Sequence, residues 1–474
     1  MSNNITNSLV WFRRDLRLYD HNALFQALNK SKAVYCCFIF DIKILDGLTN
    51  KTDRRIEFIW HALKEIKSDL NKVGSDLIVE IGDPVVIIPS LMKKYKCSDL
   101  FLNKDYENYA IERDKKIDDE LKKIDIKLHQ FKDQVIFEEK EILTQSNSPY
   151  TIFTPYKNNH LKRIFDEGIS LFNCEPFKKN LAKFKGKPLQ SLSEIGFENS
   201  NLLSMNLPLG TKGGLALIED FKKRIKNYNQ LRNFPGKKGV SYLSVHNRFG
   251  TVSIRHLAKI ALENSSEGSS TWLNELIWRD FYFQILSNFP HVDSGKTFKL
   301  KYDNLKFEND EKKFEAWTIG KTGFPIVDAG MRQLNSTGFM HNRLRMIVAC
   351  FLVKDLLIDW RWGEKYFADK LIDFDFSANN GGWQWAASTG CDAQPYFRVF
   401  NPTLQSERFD PDGNFIKKYV PELNSLSKKE IHQPSLFFDK SPNTFPIKLG
   451  VNYPFPIVNH AEQKARAIAL FKDI

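Results

Sequence analysis

Seven of the nine tryptophans lie between positions 272 and 385: Trp272, Trp278, Trp317, Trp360, Trp362, Trp383 and Trp385. Leucine fills a core with less demand on shape, so this concentration points to rings with a task beyond packing. Polar groups are interleaved with them. "TWLNELIWRDFYF" sets Trp272, Glu275, Trp278, Arg279 and Tyr282 at i, i+3 and i+4 steps, near one face of a helix. By spacing alone, a solvated carboxylate paired with Arg279 is the better reading of Glu275. "MHNRLRM" adds Asn342 and Met346 at i, i+4, with Arg343 and Arg345 pointing elsewhere. "LIDFDFSANNGGWQW" supplies Asp373, Asp375 and the Asn379–Asn380 pair, then Trp383 and Trp385. On a helix those two rings point about 200° apart, so each needs its own neighbour. Edge-reading amides, carboxylates, cations and stacking surfaces suit a large planar heterocycle, flipped-out bases, or an exposed groove for single-stranded nucleic acid. Spacing leaves all three open. The loop "FPGKKGVSYLSVHNRFG" (234–250) can offer backbone N–H groups, Ser241 and Ser244 to a phosphate, and it reads equally as a plain turn.

The elements that must position these groups are read from periodicity. "SLVWF", "AVYCCFIF", "SDLIVEI", "SDLFLN" and "IKLHQF" are short apolar runs expected to be buried strands. Between the second and third, "RRIEFIWHALKEIKSDL" repeats Ile56, Trp60, Leu63, Ile66 and Leu70 at helical spacing. Strands alternating with helices imply a doubly wound parallel sheet, an α/β domain. No GxGxxG or GxxxxGK[ST] occurs there, so ordinary dinucleotide or P-loop binding is not signalled. Residues of about 140–210 are rich in Asn, Ser, Pro and Lys and are expected to be a long connection packed over the surface. From about 213 the pattern is helical. The fold class is therefore α/β plus all-α: residues 1–138, a connection over 139–212, and a helical domain over 213–474.

Composition narrows the partners. The formal net charge of +12 favours a polyanion, nucleic acid before an acidic membrane surface. The six cysteines form no CxxC pair and no zinc spacing, and fit reduced, buried thiols of a cytosolic protein. The N-terminal stretch has no apolar h-region, and the longest apolar runs are too short for a bilayer. A cytoplasmic location without membrane contact is expected, at the nucleoid in a bacterium.

Taken in order, "LVWFRRDLRLYDHNAL", "ELIWRDFY", "KTGFPIVDAGMRQL", "MHNRLRMIVACFLVKDLLIDWRWGEKYF" and "DFDFSANNGGWQWAASTGCDAQPYFRVFNP" resemble the photolyase/cryptochrome family over nearly the whole chain. The resemblance implies an N-terminal antenna domain and a helical domain holding one FAD, active as the reduced anion. It implies light-driven electron transfer to a flipped-out pyrimidine dimer in damaged DNA, by a monomer. Tyr228, Val240, Ser241, Tyr242, Leu243, Ser244, Trp272, Arg345, Asp373, Phe374, Asp375 and Asn379 match the family's cofactor-binding positions, Asn379 beside the flavin N5 and Arg345 paired with Asp373. Glu275, Asn342, Met346 and Asn379 match its catalytic positions. Trp278 and Trp385 match rings that pack on the flipped bases, and Arg232, Arg279, Arg343 and Gln405 match DNA contacts. Relatives acting on the (6-4) photoproduct carry two histidines where this chain has Asn342 and Met346, so the resemblance points to class I cyclobutane pyrimidine dimer photolyases. A cryptochrome-type blue-light receptor is the alternative.

Three positions depart from the family pattern. The usual Thr-Ser-Arg-Leu-Ser of the phosphate loop reads Val240-Ser241-Tyr242-Leu243-Ser244, losing a hydroxyl and a cation. Trp383 and Trp360 match the first two members of the family's photoreduction chain, but the third position is Phe307, so Trp317, Trp362 or Tyr302 must serve instead. Tyr109-Ala110 stands where folate-type relatives carry Asn-Glu, which leaves methenyltetrahydrofolate, a deazaflavin or no antenna open.

Overall fold

A computed structural model of the chain describes residues 5–472. All five expected strands form: β1 (Ile5–Phe12), β2 (Ser31–Asp41), β3 (Leu77–Gly82), β4 (Asp99–Asn103) and β5 (Lys127–Phe131). They pair in parallel in the order β3-β2-β1-β4-β5. Parallel strands need crossover helices that cover both faces, which is why their sequences run apolar without alternation. Leu9, Trp11, Cys37, Ile39, Ile78, Leu100 and Leu102 pack with Ile88, Leu91, Ile117 and Leu121 of two such helices. The Arg54–Lys72 helix starts on Asp53, whose carboxylate accepts from the Arg55 N–H, and it buries Ile56, Leu63, Ile66 and Leu70 as expected; Trp60 stays half-buried.

The remainder is helical, so the molecule is α/β plus all-α. It forms two compact units. One comprises the residues up to Tyr150, with Thr154–Lys226 and Ser241–Asn288; the other comprises Thr151–Phe153, Asn227–Val240 and Phe289–Ile474. The second has its own core around Trp317, Leu344, Phe351, Leu352, Trp360 and Trp383, all buried.

Two segments differ from their sequence reading. The expected connection contains a helix, Phe153–Glu167, that buries Phe153, Tyr156, His160 and Ile164. "NRLRMIVACFLVKDLL" is not one helix: the α-helix Asn342–Cys350 passes into a π-turn over Phe351–Asp355. There the Leu356 N–H reaches back five residues to the Phe351 carbonyl at 3.0 Å.

All six cysteines are buried and unbridged. Burial holds Cys36, Cys97 and Cys391 up at about 12, and Cys174 and Cys350 at about 11, so none is a thiolate at neutral pH. Among the described residues no helix is long and apolar enough to cross a membrane.

Candidate functional site

In the first unit, the helix Glu267–Asn288 carries Trp272, Glu275, Trp278 and Arg279. They do not share one environment. Trp272 is buried edge-on to Phe221 at 4.8 Å, whereas Glu275, Trp278, Arg279 and Tyr282 are partly exposed. Trp278 lies against Tyr282 and Phe281, at 5.6 and 5.5 Å between centroids. Arg279 donates to the Gln134 carbonyl and lies over the Phe283 ring at 4.6 Å.

The loop Ser241-Tyr242-Leu243-Ser244 leads into the short helix Ser244–Phe249. Tyr242 adopts φ +60°, a left-handed conformation uncommon for a bulky residue. The Arg224 guanidinium, paired with Asp220 at 3.1 Å, lies 5.6 Å from the Tyr242 ring.

In the second unit, Arg345 grips both carboxylate oxygens of Asp373, at 3.0 and 2.8 Å. One terminal nitrogen, Nη2, makes both contacts, while Nε donates to the Met340 carbonyl at 2.9 Å; Asp373 is buried and Arg345 half-exposed. Asp375 caps the helix Phe376–Ala387, accepting from Ser377 Oγ at 2.6 Å and the Ala378 N–H at 3.5 Å. One turn on, Asn379 donates its amide N–H to the main-chain oxygen of Glu364 at 3.1 Å. A carbonyl can only accept, so this bond settles which end of the Asn379 amide is nitrogen and leaves its oxygen for a ligand. Phe374 and Val240 are partly buried, and Tyr228 is buried beneath the Arg232 guanidinium at 5.5 Å.

On the Asn342–Cys350 helix, Asn342 is exposed and Met346 partly exposed one turn apart, while Leu344, Ile347 and Val348 are buried. His341 caps this helix by accepting the Arg343 N–H at Nδ1, 3.1 Å away. Burial, together with Arg343, Arg345 and Arg232, pushes His341 down to about 4, so the cap stays neutral. Arg343 donates to Asn233 Oδ1 at 2.8 Å and lies over Phe409 at 4.4 Å. Gln405 lines a surface cleft of about 490 Å³ with Arg398, Asn401, His460 and Lys464.

Trp383 and Trp385 separate as their spacing requires. Trp383 is buried, and Trp385 is partly exposed beside Phe400 at 6.4 Å. Gly363 permits the approach of Trp383, since a methyl group there would lie 2.1 Å from the indole. Trp383 meets Phe367 edge-on at 5.0 Å and Trp317 at 6.1 Å. Trp317 in turn lies 5.7 Å from Tyr366 and 5.8 Å from Phe314, which meets the partly exposed Trp362 at 5.2 Å. The expected relay residue Trp360 is fully buried, and Phe307 packs on Phe471 at 6.4 Å. Tyr302, the third candidate donor, also faces Phe471, at 5.8 Å.

The carboxyl ends of β1, β2 and β4 hold a separate cluster, at the point where the strand order reverses and doubly wound sheets bind ligands. Here the chain's own side chains interlock. Arg13 pairs with Asp114 at 2.7 Å, Arg14 with Asp105 at 3.2 Å, and Arg113 with Asp41 and Asp114 at 3.4 and 3.1 Å. Arg13 and Arg113 both lie over Trp11, at 4.9 and 4.8 Å. Tyr109 donates to Asp41 at 2.7 Å.

The five-stranded parallel sheet followed by a helical region with buried tryptophans is the two-part architecture of photolyases. Residues 8–176 match the family model "DNA photolyase", and residues 272–473 match "FAD binding domain of DNA photolyase". The deoxyribodipyrimidine photo-lyase of Vibrio cholerae is 38% identical, over 98% of this chain and 99% of its own length. A class III photolyase from Agrobacterium tumefaciens superposes with TM-score 0.87 at 33% identity, covering 100% of this chain and 98% of that one. A cryptochrome from Synechocystis gives TM-score 0.85 at 28% identity, covering 99% of this chain and 100% of its own. The chain belongs to the photolyase/cryptochrome superfamily, whose flavin-dependent photochemistry serves DNA repair or photoreception.

Proposed function

We propose that this chain is a light-dependent lyase that splits cyclobutane pyrimidine dimers in DNA, acting as a monomer with one FAD. Residues 1–138 are its antenna domain, 139–212 the connection, and 213–474 the FAD- and DNA-binding domain. The donor set fits the cofactor: a cation–carboxylate pair in Arg345 and Asp373, the helix-capping carboxylate of Asp375, and the outward oxygen of Asn379 suit the polar edge of a flavin. Tyr228, Ser241, Leu243, Ser244 and Trp272 are its further holders. Reduced FAD supplies light-driven one-electron transfer when bound.

The observation that carries the substrate is the accessible pair Asn342 and Met346. An amide reads a base edge, a thioether packs on it, and neither is the general acid that histidines supply to relatives acting on (6-4) photoproducts. Trp278 and Trp385, both partly exposed, offer their faces to flipped bases, and Glu275 a carboxylate acceptor. Arg232, Arg279, Arg343 and Gln405 position the strand, giving salt-dependent affinity without sequence choice. Class I membership rests on these motifs, since a class III photolyase shares the backbone. Trp383 and Trp360 are the matched first members of the route by which an electron reaches the cofactor; with Phe307 at the third position, the contact of Trp383 with Trp317, and then Tyr366 or, through Phe314, Trp362, offers another way to the surface.

The test is repair itself. Protein purified with its flavin reduced is illuminated with blue or near-ultraviolet light, and thymine dimers are counted in DNA. Loss of dimers in the light and not in the dark is expected. Bound FAD without light-dependent loss overturns the proposal in favour of photoreception.

A further inference from the structure

Glu364 is not among the residues assigned to flavin or DNA, yet both asparagines of the Asn379–Asn380 pair are tied to it. Asn379 donates to its main-chain oxygen, and Asn380 donates to its carboxyl Oε1 at 3.0 Å. Asn380 in turn accepts from Gln384 Nε2 at 2.9 Å, and Gln384 Oε1 accepts the Phe298 N–H at 2.7 Å. The carboxyl group is therefore the outer end of a hydrogen-bonded chain whose inner members share a helix with Asn379.

The charges facing Glu364 are few and mixed. Arg361 and Asp359 belong to the start of its own helix, Trp360–Lys370, and Asp293 lies on the turn Pro290–Ser294. Arg361 is engaged by Asp303 at 2.9 Å and Asp359 at 3.1 Å, and its field still favours the ionised form of Glu364 more than Asp293 or Asp359 opposes it. The Phe376–Ala387 helix faces it with the neutral amides of Asn379 and Asn380.

We propose that the Glu364 carboxyl group is a charge switch beside Asn379: its ionisation places a negative charge next to the amide pair and lowers the reduction potential of the flavin held there. Burial is the largest influence on the carboxyl group and holds it up at about 7, against the Asn380 hydrogen bond and Arg361, which lower it; Asp293 and Asp359 add to the rise. A carboxyl group that changes charge near neutral pH acts on an electron-accepting neighbour by field alone, and in a partly dry interior that field is weakly screened. The inference rests on the reading that the flavin's reactive edge lies against Asn379.

Three variants and two measurements test it. In the flavin-loaded wild type, the midpoint potential plotted against pH should bend near neutrality, and a protonated carboxyl band in the infrared should titrate over the same range. Glu364→Gln keeps a hydrogen-bond acceptor for Asn380 but cannot ionise. It should retain its FAD, lose the bend and lose the infrared band. Glu364→Ala should lose the bend and also hold FAD less tightly. A bend or a titrating band that persists in Glu364→Gln, or a wild type with neither, overturns the proposal. Asn379→Asp separates the two readings: if it leaves potential and spectrum unchanged, the flavin is not at Asn379 and both readings fall. If it shifts the potential while Glu364→Gln changes nothing, only the role of Glu364 falls.

Discussion

A single amide and a single indole divide the chemistry of the 376–387 segment. Asn379 gives its nitrogen to the Glu364 carbonyl, and Trp383 is the buried ring that meets Trp317 and Phe367. Trp383→Phe should abolish photoreduction of oxidised protein in vitro yet spare repair by pre-reduced protein; equal loss of both would reject the assignment. Trp317→Phe should slow photoreduction at least tenfold, while Trp360→Phe should matter less. Transient absorption after a laser flash decides, and the reverse order would restore the path through Trp360. Glu275→Ala should lower the repair yield per absorbed photon with FAD content intact, measured by dimer loss against flavin absorbance. The Trp383–Trp317 contact joins residues 66 positions apart, and no periodicity encodes it.

At the scale of elements, the five strands were legible because a sheet buried on both faces demands continuous apolar runs. The Phe153–Glu167 helix carried its signal too, since Phe153, Tyr156, His160 and Ile164 recur at three and four residues, but Asn, Pro and Lys between them dilute it. The π-turn was illegible: "MIVACFLV" is apolar all round, and periodicity cannot show a change of hydrogen-bond partner. Glu364 gave no signal because "WGEKYF" reads as the wet side of an amphipathic helix. In the π-turn, Lys354 is fully buried, its amine 3.4 Å from the Phe471 centroid and with no hydrogen-bond acceptor among the described residues. Burial lowers it from 10.5 to about 7. The unfolded chain therefore binds more protons between those values, so this residue makes stability rise with pH across that window. Lys354→Met should stabilise the protein at pH 7 by about 1–3 kcal/mol and flatten that slope. Urea unfolding at several pH values checks it, and destabilisation would show that the amine has a partner.

Over the whole molecule, the two histidines pushed down furthest contribute most, among the histidines, to the acid limit. His246 accompanies the sheet and His341 lies among three arginines, each lowered from 6.5 to about 4 by burial first. Below 6.5 the unfolded chain takes up protons that the folded chain refuses, so stability falls as pH drops from 6.5 towards 4, by up to about 3 kcal/mol for each residue. Thermal unfolding between those limits should show the loss, and His341→Gln should halve it. The excess positive charge acts on a different partner. Arg343→Ala should weaken binding to dimer-containing DNA uniformly across flanking sequences and reduce the salt slope by about 1. Titration at several ionic strengths tests this, and an unchanged slope removes Arg343 from the phosphate contacts.

The π-turn has a further consequence, in the genetics of the chain. Phe351–Asp355 holds one residue more than a regular helical turn needs. Loss of one codon here would let the backbone close into an ordinary turn with its flanks left in nearly the same phase, because the wide turn already absorbs the extra residue. Trp360 and Gly363 should then keep the partners they now have. Loss of one codon within the Asn342–Cys350 helix would instead rotate the chain beyond it by about 100°. The same deletion is an error of phase in the helix, felt as far as Trp383, and a slip the backbone can absorb in the π-turn.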